Sequence, residues 1–412
     1  MSNTTRILIA LVAGLTLGII AGQTGWGELA KFAEPIGTLW LDGLRMTIVP
    51  LVVALMITGI ARTADSARGG RLAFRSVILF AIVLWISATV AALLVPAVLQ
   101  LWPIPGESAK ALSAALGSRT EAVGQAPSVL DFLRTIVPTN PIAAAASSDS
   151  MLPLILFVTV FAIAVTRLGA EARERLVGFF SAIEQAMLVI VGWVLLIAPI
   201  GVIALAFVVG VNAGTSAIGA LAHYVIVVSL AGIVVWGMAY PLAIFGGKVR
   251  LGDFIRAVAP AQAVAISTQS SLASLPAMLK SCEKLGIPAE TAGVPLPIAV
   301  AIFRATGPAM NLAVAIYIAH WFGIPLTPSV LATGLVVAAV TTMGSVSLPG
   351  QISFFTSIAP IAAAMGVPLE PLALLVAVEM IPDLVRTVGN VTMDVAATTA
   401  AVRRGDKAEA QA

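Results

Sequence analysis

The chain has one cysteine, two histidines and, among 412 residues, only 10% charged side chains. With Cys282 alone, no intrachain disulfide can form and a cysteine-based metal centre is excluded. His223 and His320 lie far apart in apolar surroundings. That is the setting of interfacial or hydrogen-bonded imidazoles, not of a ligand cluster. The shortage of charge excludes most: soluble proteins carry about 25% charged residues, whereas here 59% are hydrophobic and the mean hydropathy is +1.03. The apolar runs are about 17 to 30 residues long, enough to cross a bilayer as helices, and they lack the alternation of barrel strands. A helical, polytopic membrane protein follows. The first run, from Ile7 to Ala21, shows no small-residue cleavage pattern and reads as a membrane helix, not a signal peptide.

The net charge of +3 says little, but its placement says more, because cytoplasmic loops collect Lys and Arg. Apolar blocks fall near 6–23, 39–61, 73–102, 148–166, 177–211 and 217–246. Arg62, Arg68, Arg71 and Arg75 follow the second, Arg167, Arg173 and Arg175 the fourth, and Lys248, Arg250 and Arg256 the sixth. The alternate connections are poor in cations. This alternation predicts six simple spans with both termini cytoplasmic, in the inner (plasma) membrane, and an external loop over 103–147.

After residue 250 the pattern changes. "VAISTQSSLASLPAMLKSCEKLG" (264–286) is apolar, then Ser-rich, broken at Pro276 and flanked by cations on both sides. "VAAVTTMGSVSLPGQISFFTSIAPIAAAMG" (337–366) has the same grammar, and the two share Ser274-Leu275-Pro276 and Ser347-Leu348-Pro349. Arms of about ten residues are too short to span a core about 30 Å thick, so each segment reads as a helical hairpin that returns to its own side. One span, about 291–323, separates them. Inverted repeats with discontinuous helices are the pattern of secondary transporters, and irregular backbone at membrane depth must be buried or line a cavity.

The last apolar segment holds Glu379, Asp383, Arg386, Thr387, Asn390 and Asp394. At about 100° per residue these six fall within an arc of about 100°, opposite Leu384, Val388 and Val395, as one polar stripe about 22 Å long. Charges at membrane depth face a cavity or a partner. A structural ion-pair network would need one pair, and this stripe exceeds that. Arg386 can grip a carboxylate through two parallel hydrogen bonds, Asp383 can accept from an ammonium group, and Asp394 suits a hard cation, as does Asn390. A ligand with both a carboxylate and an amine complements the stripe.

"DLVRTVGNVTMD" closely resembles the last-helix motif of the glutamate/aspartate transporter family, the dicarboxylate/amino acid:cation symporters. "STQSSLASLP" and "GSVSLPG" resemble its two hairpins, and "LRMTIVPLV", "PTNPI" and "LIAPIGVIALA" its scaffold. The resemblance implies a glutamate-transporter-like fold, all-α, with eight transmembrane helices plus two re-entrant hairpins. It implies a homotrimer in which a transport domain moves like an elevator against a scaffold. By this likeness 1–250 is mainly scaffold, with its third and sixth helices shared, 251–404 is the transport core, and 405–412 is a cytoplasmic tail. Asp383 matches the residue on the substrate amine and Arg386 the one on its side-chain carboxylate. Thr387, Asn390, Ser270 and Ser271 match further substrate contacts, and Leu348, Pro349 and Gly350 the outer gate. Asp394 matches a sodium ligand, beside Asn390 and the carbonyls of Thr342, Met343 and Ser345. No cofactor beyond the coupling Na⁺ or H⁺ is implied.

The chain departs from the family where Asn-Met-Asp-Gly-Thr is usual: those positions read Phe303, Arg304, Ala305, Thr306 and Gly307. Gln269 replaces an Arg of some members and Ile352 a Gly. Arg304 then balances charge with Glu379 or Asp394, takes the place of a lost sodium site, or grips a second substrate carboxylate. The expected function is cation-driven symport of aspartate or glutamate, with C4-dicarboxylate symport as the alternative. A gated channel fits one charged stripe behind two gates less well. No enzyme is expected: Lys280 and Ser281 are adjacent on a helix and do not face each other.

Overall fold

A computed structural model describes residues 3–67, 70–104, 137–146, 152–344 and 350–409. Most of the expected external loop, and Ser345, Leu348 and Pro349 with it, lies outside these. Among the described residues there are helices and no strand. The longer ones are α1 (Asn3–Thr24), α2 (Ala30–Ala67), α3 (Arg71–Leu101), α4 (Leu152–Thr166), α5 (Ala170–Leu196), α6 (Ala198–Ala213), α7 (Ser216–Pro241), α8 (Leu251–Thr268), α9 (Ser271–Lys284), α10 (Pro295–Ile302), α11 (Gly307–Trp321), α12 (Pro328–Gly344), α13 (Gly350–Ala364) and α14 (Met380–Glu409). Six helical stretches are long and apolar enough to cross a membrane. The helix α14, though 30 residues long, is too polar to be counted with them.

Two packing modes divide the molecule. At one edge α1 lies along α6 and α2 runs across α4, α5 and α6. Gly14, Gly18 and Gly22 recur every fourth residue on α1, and small residues at that spacing let membrane helices approach to backbone contact. A Cβ on Gly18 would stand 2.2 Å from the Phe207 carbonyl oxygen, and one on Gly210 would stand 2.5 Å from that of Leu15. Nearby, the block expected over 177–211 breaks at Ile197, because Pro199 opens a new helix. The last carbonyls of α5 then lack helical partners, and the Trp40 indole donates to that of Val194 at 3.0 Å. Gly201 leaves the space that the Trp40 ring occupies.

The second mode is a core around α11 and α14. Every residue of α11 except His320 is buried, as in a helix surrounded on all sides. It packs on α3, α7, α12 and α13, while α14 packs on α7, α8, α9, α10 and α3. Gln262 of α8 donates to Thr392 at 2.9 Å, and Arg403 near the far end of α14 donates to the Leu285 carbonyl at 2.9 Å.

Three expectations change. The first hairpin turns at Gln269, whose φ of 49° is left-handed, and not at Pro276, which lies inside α9. Ser270 sets the turn by capping α9, its hydroxyl accepting from the Ala273 amide at 3.2 Å. The hairpin arms are longer than ten residues, 18 in α8 and 14 in α9, because α8 already starts at Leu251 and takes in Arg256, and α9 runs on through Lys280 and Lys284. The span between the hairpins is not continuous: it stops at Ile302 and restarts at Gly307.

The glycine contacts give a direct test. Gly18→Val should destabilise the purified protein by ~1–3 kcal/mol through overpacking. Gly219→Ala, where nothing lies within 4 Å of the added Cβ, should leave stability level or raise it by ~0.5–1 kcal/mol. Thermal melts in detergent compare the two, and equal melting temperatures would contradict the close approach.

Candidate functional site

Side chains on a helix lean toward its N-terminus, which is how Arg386 reaches back along its own chain. Its Nη1 lies 2.7 Å from Glu379 Oε1 and 3.2 Å from Asp383 Oδ1, two turns and one turn earlier. Nη2 donates to Asn311 Oδ1 of α11 at 3.4 Å. The Tyr224 hydroxyl of α7 donates to the other Glu379 oxygen at 3.4 Å. Arg386 is only 3% exposed and its Nε has no hydrogen-bond partner.

The helix break supplies the next layer. Thr306 donates both its backbone amide, at 2.9 Å, and its hydroxyl, at 2.8 Å, to Asn390 Oδ1. The same hydroxyl lies 3.1 Å from the Arg386 carbonyl. The break can come this close because residue 389 is glycine: a Cβ there would sit 2.6 Å from Thr306 Cγ2 and 3.2 Å from the Trp236 Cβ. Arg304, inside the break, donates to Ser353 Oγ of α13 at 3.0 Å. It lies within Coulombic reach of Arg386, Asp383 and Asp394. A cleft between these elements is lined by Arg304, Gly307, Asn311, Thr342, Ser353, Ser357 and Arg386.

The six residues of the stripe are thus gathered on α14 and just before it, with Thr387 donating to the Asp383 carbonyl at 2.9 Å. Thr342 and Met343 sit in the last turn of α12. Gly350 opens α13. Ser270 and Ser271 sit at the hairpin turn, half-buried; among the described residues no hydrogen bond joins them to Arg386 or Asp383. Asp394 is fully buried and neither carboxylate oxygen has a hydrogen-bond partner. Among the described residues no group of three or more His, Cys, Asp or Glu could hold a metal ion, and Asn390 Oδ1 is already occupied by Thr306. The residue pattern alone gives no role to Thr306, Asn311, Ser353, Ser357 or Tyr224. A signal for the first was present, since Thr306-Gly307-Pro308 reads as a helix restart.

Chemically, Arg386 is a partly used fork. A guanidinium has five N–H donors. Nη1 donates to Asp383 and stands in an ion pair with Glu379, Nη2 donates to Asn311, and Nε–H has no partner. A buried donor without a partner costs about 1–3 kcal/mol, so Nε–H favours an incoming acceptor such as a carboxylate oxygen.

Residues 4–404 match the sodium:dicarboxylate symporter family. The proton/sodium-glutamate symport protein of Bacillus subtilis is 30% identical over 93% of this chain and 89% of its own length. The proton/glutamate-aspartate symporter of Escherichia coli is 29% identical over 94% and 89%, and a C4-dicarboxylate transport protein of Bacillus subtilis 24% identical over 94% and 90%. With the match running over nearly its whole length, the chain belongs to the sodium:dicarboxylate symporter family.

Proposed function

We propose that the protein is a secondary active symporter that imports aspartate or glutamate, driven by a Na⁺ or H⁺ gradient. The observation that carries this reading is the unpartnered Nε–H of buried Arg386, with Asp383 one turn away. A side-chain carboxylate docks on Arg386 there and an ammonium group on the carboxylate of Asp383. Asn311, Ser353 and Ser357 line the same cleft and offer further polar contacts. The glutamate and glutamate-aspartate relatives support the substrate class. A second reading, C4-dicarboxylate symport, draws on the placement of Arg304 and Arg386 on one cleft, a pair of cations for a pair of carboxylates, and on the dicarboxylate relatives.

In this reading eight helices span the bilayer, and α8–α9 and α12–α13 are re-entrant hairpins. Three copies associate, with both termini cytoplasmic. The core around α11 and α14, carrying α3 and α7, slides against the edge formed by α1, α2 and α4 to α6. Among the described residues an ion pair bridges the two parts: Arg45 of α2 pairs with Glu370, in the short helical turn before α14, and also with Asp42 at 3.2 Å. An elevator movement has to break this bridge.

Three outcomes follow. Arg386→Ala should weaken aspartate binding by about a hundredfold or more, the loss of two charge-assisted bonds worth roughly 1.5–3 kcal/mol each; unchanged affinity by calorimetry would sink the assignment. Asp383→Asn separates the two substrate classes: aspartate binding should collapse, while binding of a plain dicarboxylate such as succinate stays level or improves. The single native cysteine is buried, so an Arg45→Cys/Glu370→Cys pair can be cross-linked against a quiet background. The cross-link should abolish uptake into proteoliposomes and a reductant should restore it; uptake that persists in the cross-linked protein would rule out the sliding of these two parts.

A further inference from the structure

A second space in the molecule has no part in the proposed substrate site. It is an open, apolar cavity of about 220 Å³. Ile60 and Ala64 near the end of α2 line it, with Ile163 and Thr166 at the end of α4, Val77 in the second turn of α3 and Met343 in the last turn of α12. The threonines do not make it polar. Thr166 gives its hydroxyl to the Ile163 carbonyl at 2.7 Å, and Thr63 gives its own to that of Gly59 at 2.8 Å. A trapped water needs roughly two to four polar partners, so these walls suit hydrocarbon.

The position of the cavity says which hydrocarbon. It lies at the end of the molecule where cations collect: 62–75 and 167–175 hold seven arginines and three carboxylates. Asp65 is already matched by Arg173 at 3.6 Å, and the buried Glu184 by Arg62 at 3.4 Å. Arg167 directly follows Thr166, Arg71 opens α3 six residues before Val77, and both are exposed. At 1.5 Å per residue that puts Arg71 about 9 Å further along the axis than the cavity wall. An anionic phospholipid has the same order, a phosphate at the level of the cations and acyl chains one or two helical turns below. Basic sites between membrane helices hold such headgroups. A zwitterionic lipid would leave the excess of cations unmatched.

The walls also belong to two parts of the molecule. In the proposed movement α2 and α4 stay with the edge, while α3 and α12 go with the core. A chain lodged between them fills a space that sliding would change. Thr342 and Met343 are neighbours in the last turn of α12, yet Thr342 lines the cleft of Arg386 and Met343 lines the cavity. A ligand in one space therefore bears on a wall of the other. We infer that the cavity is a regulatory site for an anionic phospholipid, whose acyl chain lodges against Val77 and Met343 and whose phosphate meets Arg71 and Arg167. Occupancy holds core and edge in this arrangement and slows transport. The binding stands on the cavity and the charges, and only the effect on transport rests on the proposed symport.

The test uses the purified full-length protein in neutral detergent and three radiolabelled probes: phosphatidylglycerol, phosphatidylcholine with the same acyl chains, and oleate. Lipid retained after gel filtration is counted. The wild type should retain phosphatidylglycerol over phosphatidylcholine by about tenfold or more, the effect of about 1.4 kcal/mol. Arg71→Gln/Arg167→Gln, at two exposed positions, should melt as the wild type and lose the preference. Ala64→Phe, which fills the cavity, should retain neither lipid. Equal retention of both lipids by the wild type, or a preference that survives in Ala64→Phe, overturns the proposal. If Ala64→Phe does not fold, the arginine variant decides, and a preference intact there overturns it. Retention of oleate but not of phosphatidylglycerol makes the occupant a free fatty acid and overturns it as well. In proteoliposomes, aspartate uptake by the wild type should fall about threefold when phosphatidylglycerol replaces half of the phosphatidylcholine, while Arg71→Gln/Arg167→Gln keeps its rate. Equal slowing of the variant would overturn the regulatory role. A wild type that takes up no aspartate in either membrane would undo the proposed substrate and leave the retention counts readable.

Discussion

The guanidinium of Arg386 is 3% exposed, and a permanent charge can be kept in such an interior only where the protein itself supplies counter-charge and acceptors. Removing one partner of a buried pair typically costs about 3–5 kcal/mol, so each neighbour of Arg386 is constrained in turn. Glu379 must stand at the very start of α14 with Tyr224 behind it, Asp383 one turn on, and Asn311 on a helix approaching from the side. Asn311 reaches that point because α11 begins at Gly307. The helix break, the missing side chain at residue 389 and the cap that Asn390 gives Thr306 all follow from placing one cation correctly.

The same arrangement leaves Nε of the fork open. A fully satisfied guanidinium would be a structural brace and nothing more. Here the internal carboxylates crowd onto Nη1 and leave Nε without a partner, so the network that keeps Arg386 charged also aims it at the cleft. In the proposed reading, recognition and stability share the residue but use different hydrogens of it.

The charged stripe was legible because six polar residues at helical spacing in an apolar run admit few arrangements, and arithmetic on the helix puts them on one face. That a pair of helices packs together in each of the two segments was legible from their Ser and Pro content. Details failed where local chemistry competes. Pro276 looked like the break, yet the sixth residue of a helix tolerates it when Ser270 caps the start. Gln269 took the left-handed turn that sequence patterns assign to Gly or Asn. The gap at 303–306 was masked by hydrophobicity: Phe303 and Ala305 suit a continuous span, and only Thr306-Gly307-Pro308 marks the restart. Asn311 and Ser353 join the site through contacts with residues 75 and 49 positions away, which no local pattern contains.

The fit between α1 and α6 has a consequence for how the protein is made. Gly18 meets the backbone at Phe207, roughly 190 residues later, and at about 5–20 residues per second the ribosome needs some ten to forty seconds to reach it. During that time α1 is in the bilayer with its glycine groove facing lipid or a chaperone. Biogenesis therefore includes a waiting period for the first helix, and the groove that later locks the edge of the molecule is, until then, its most accessible site for mispairing.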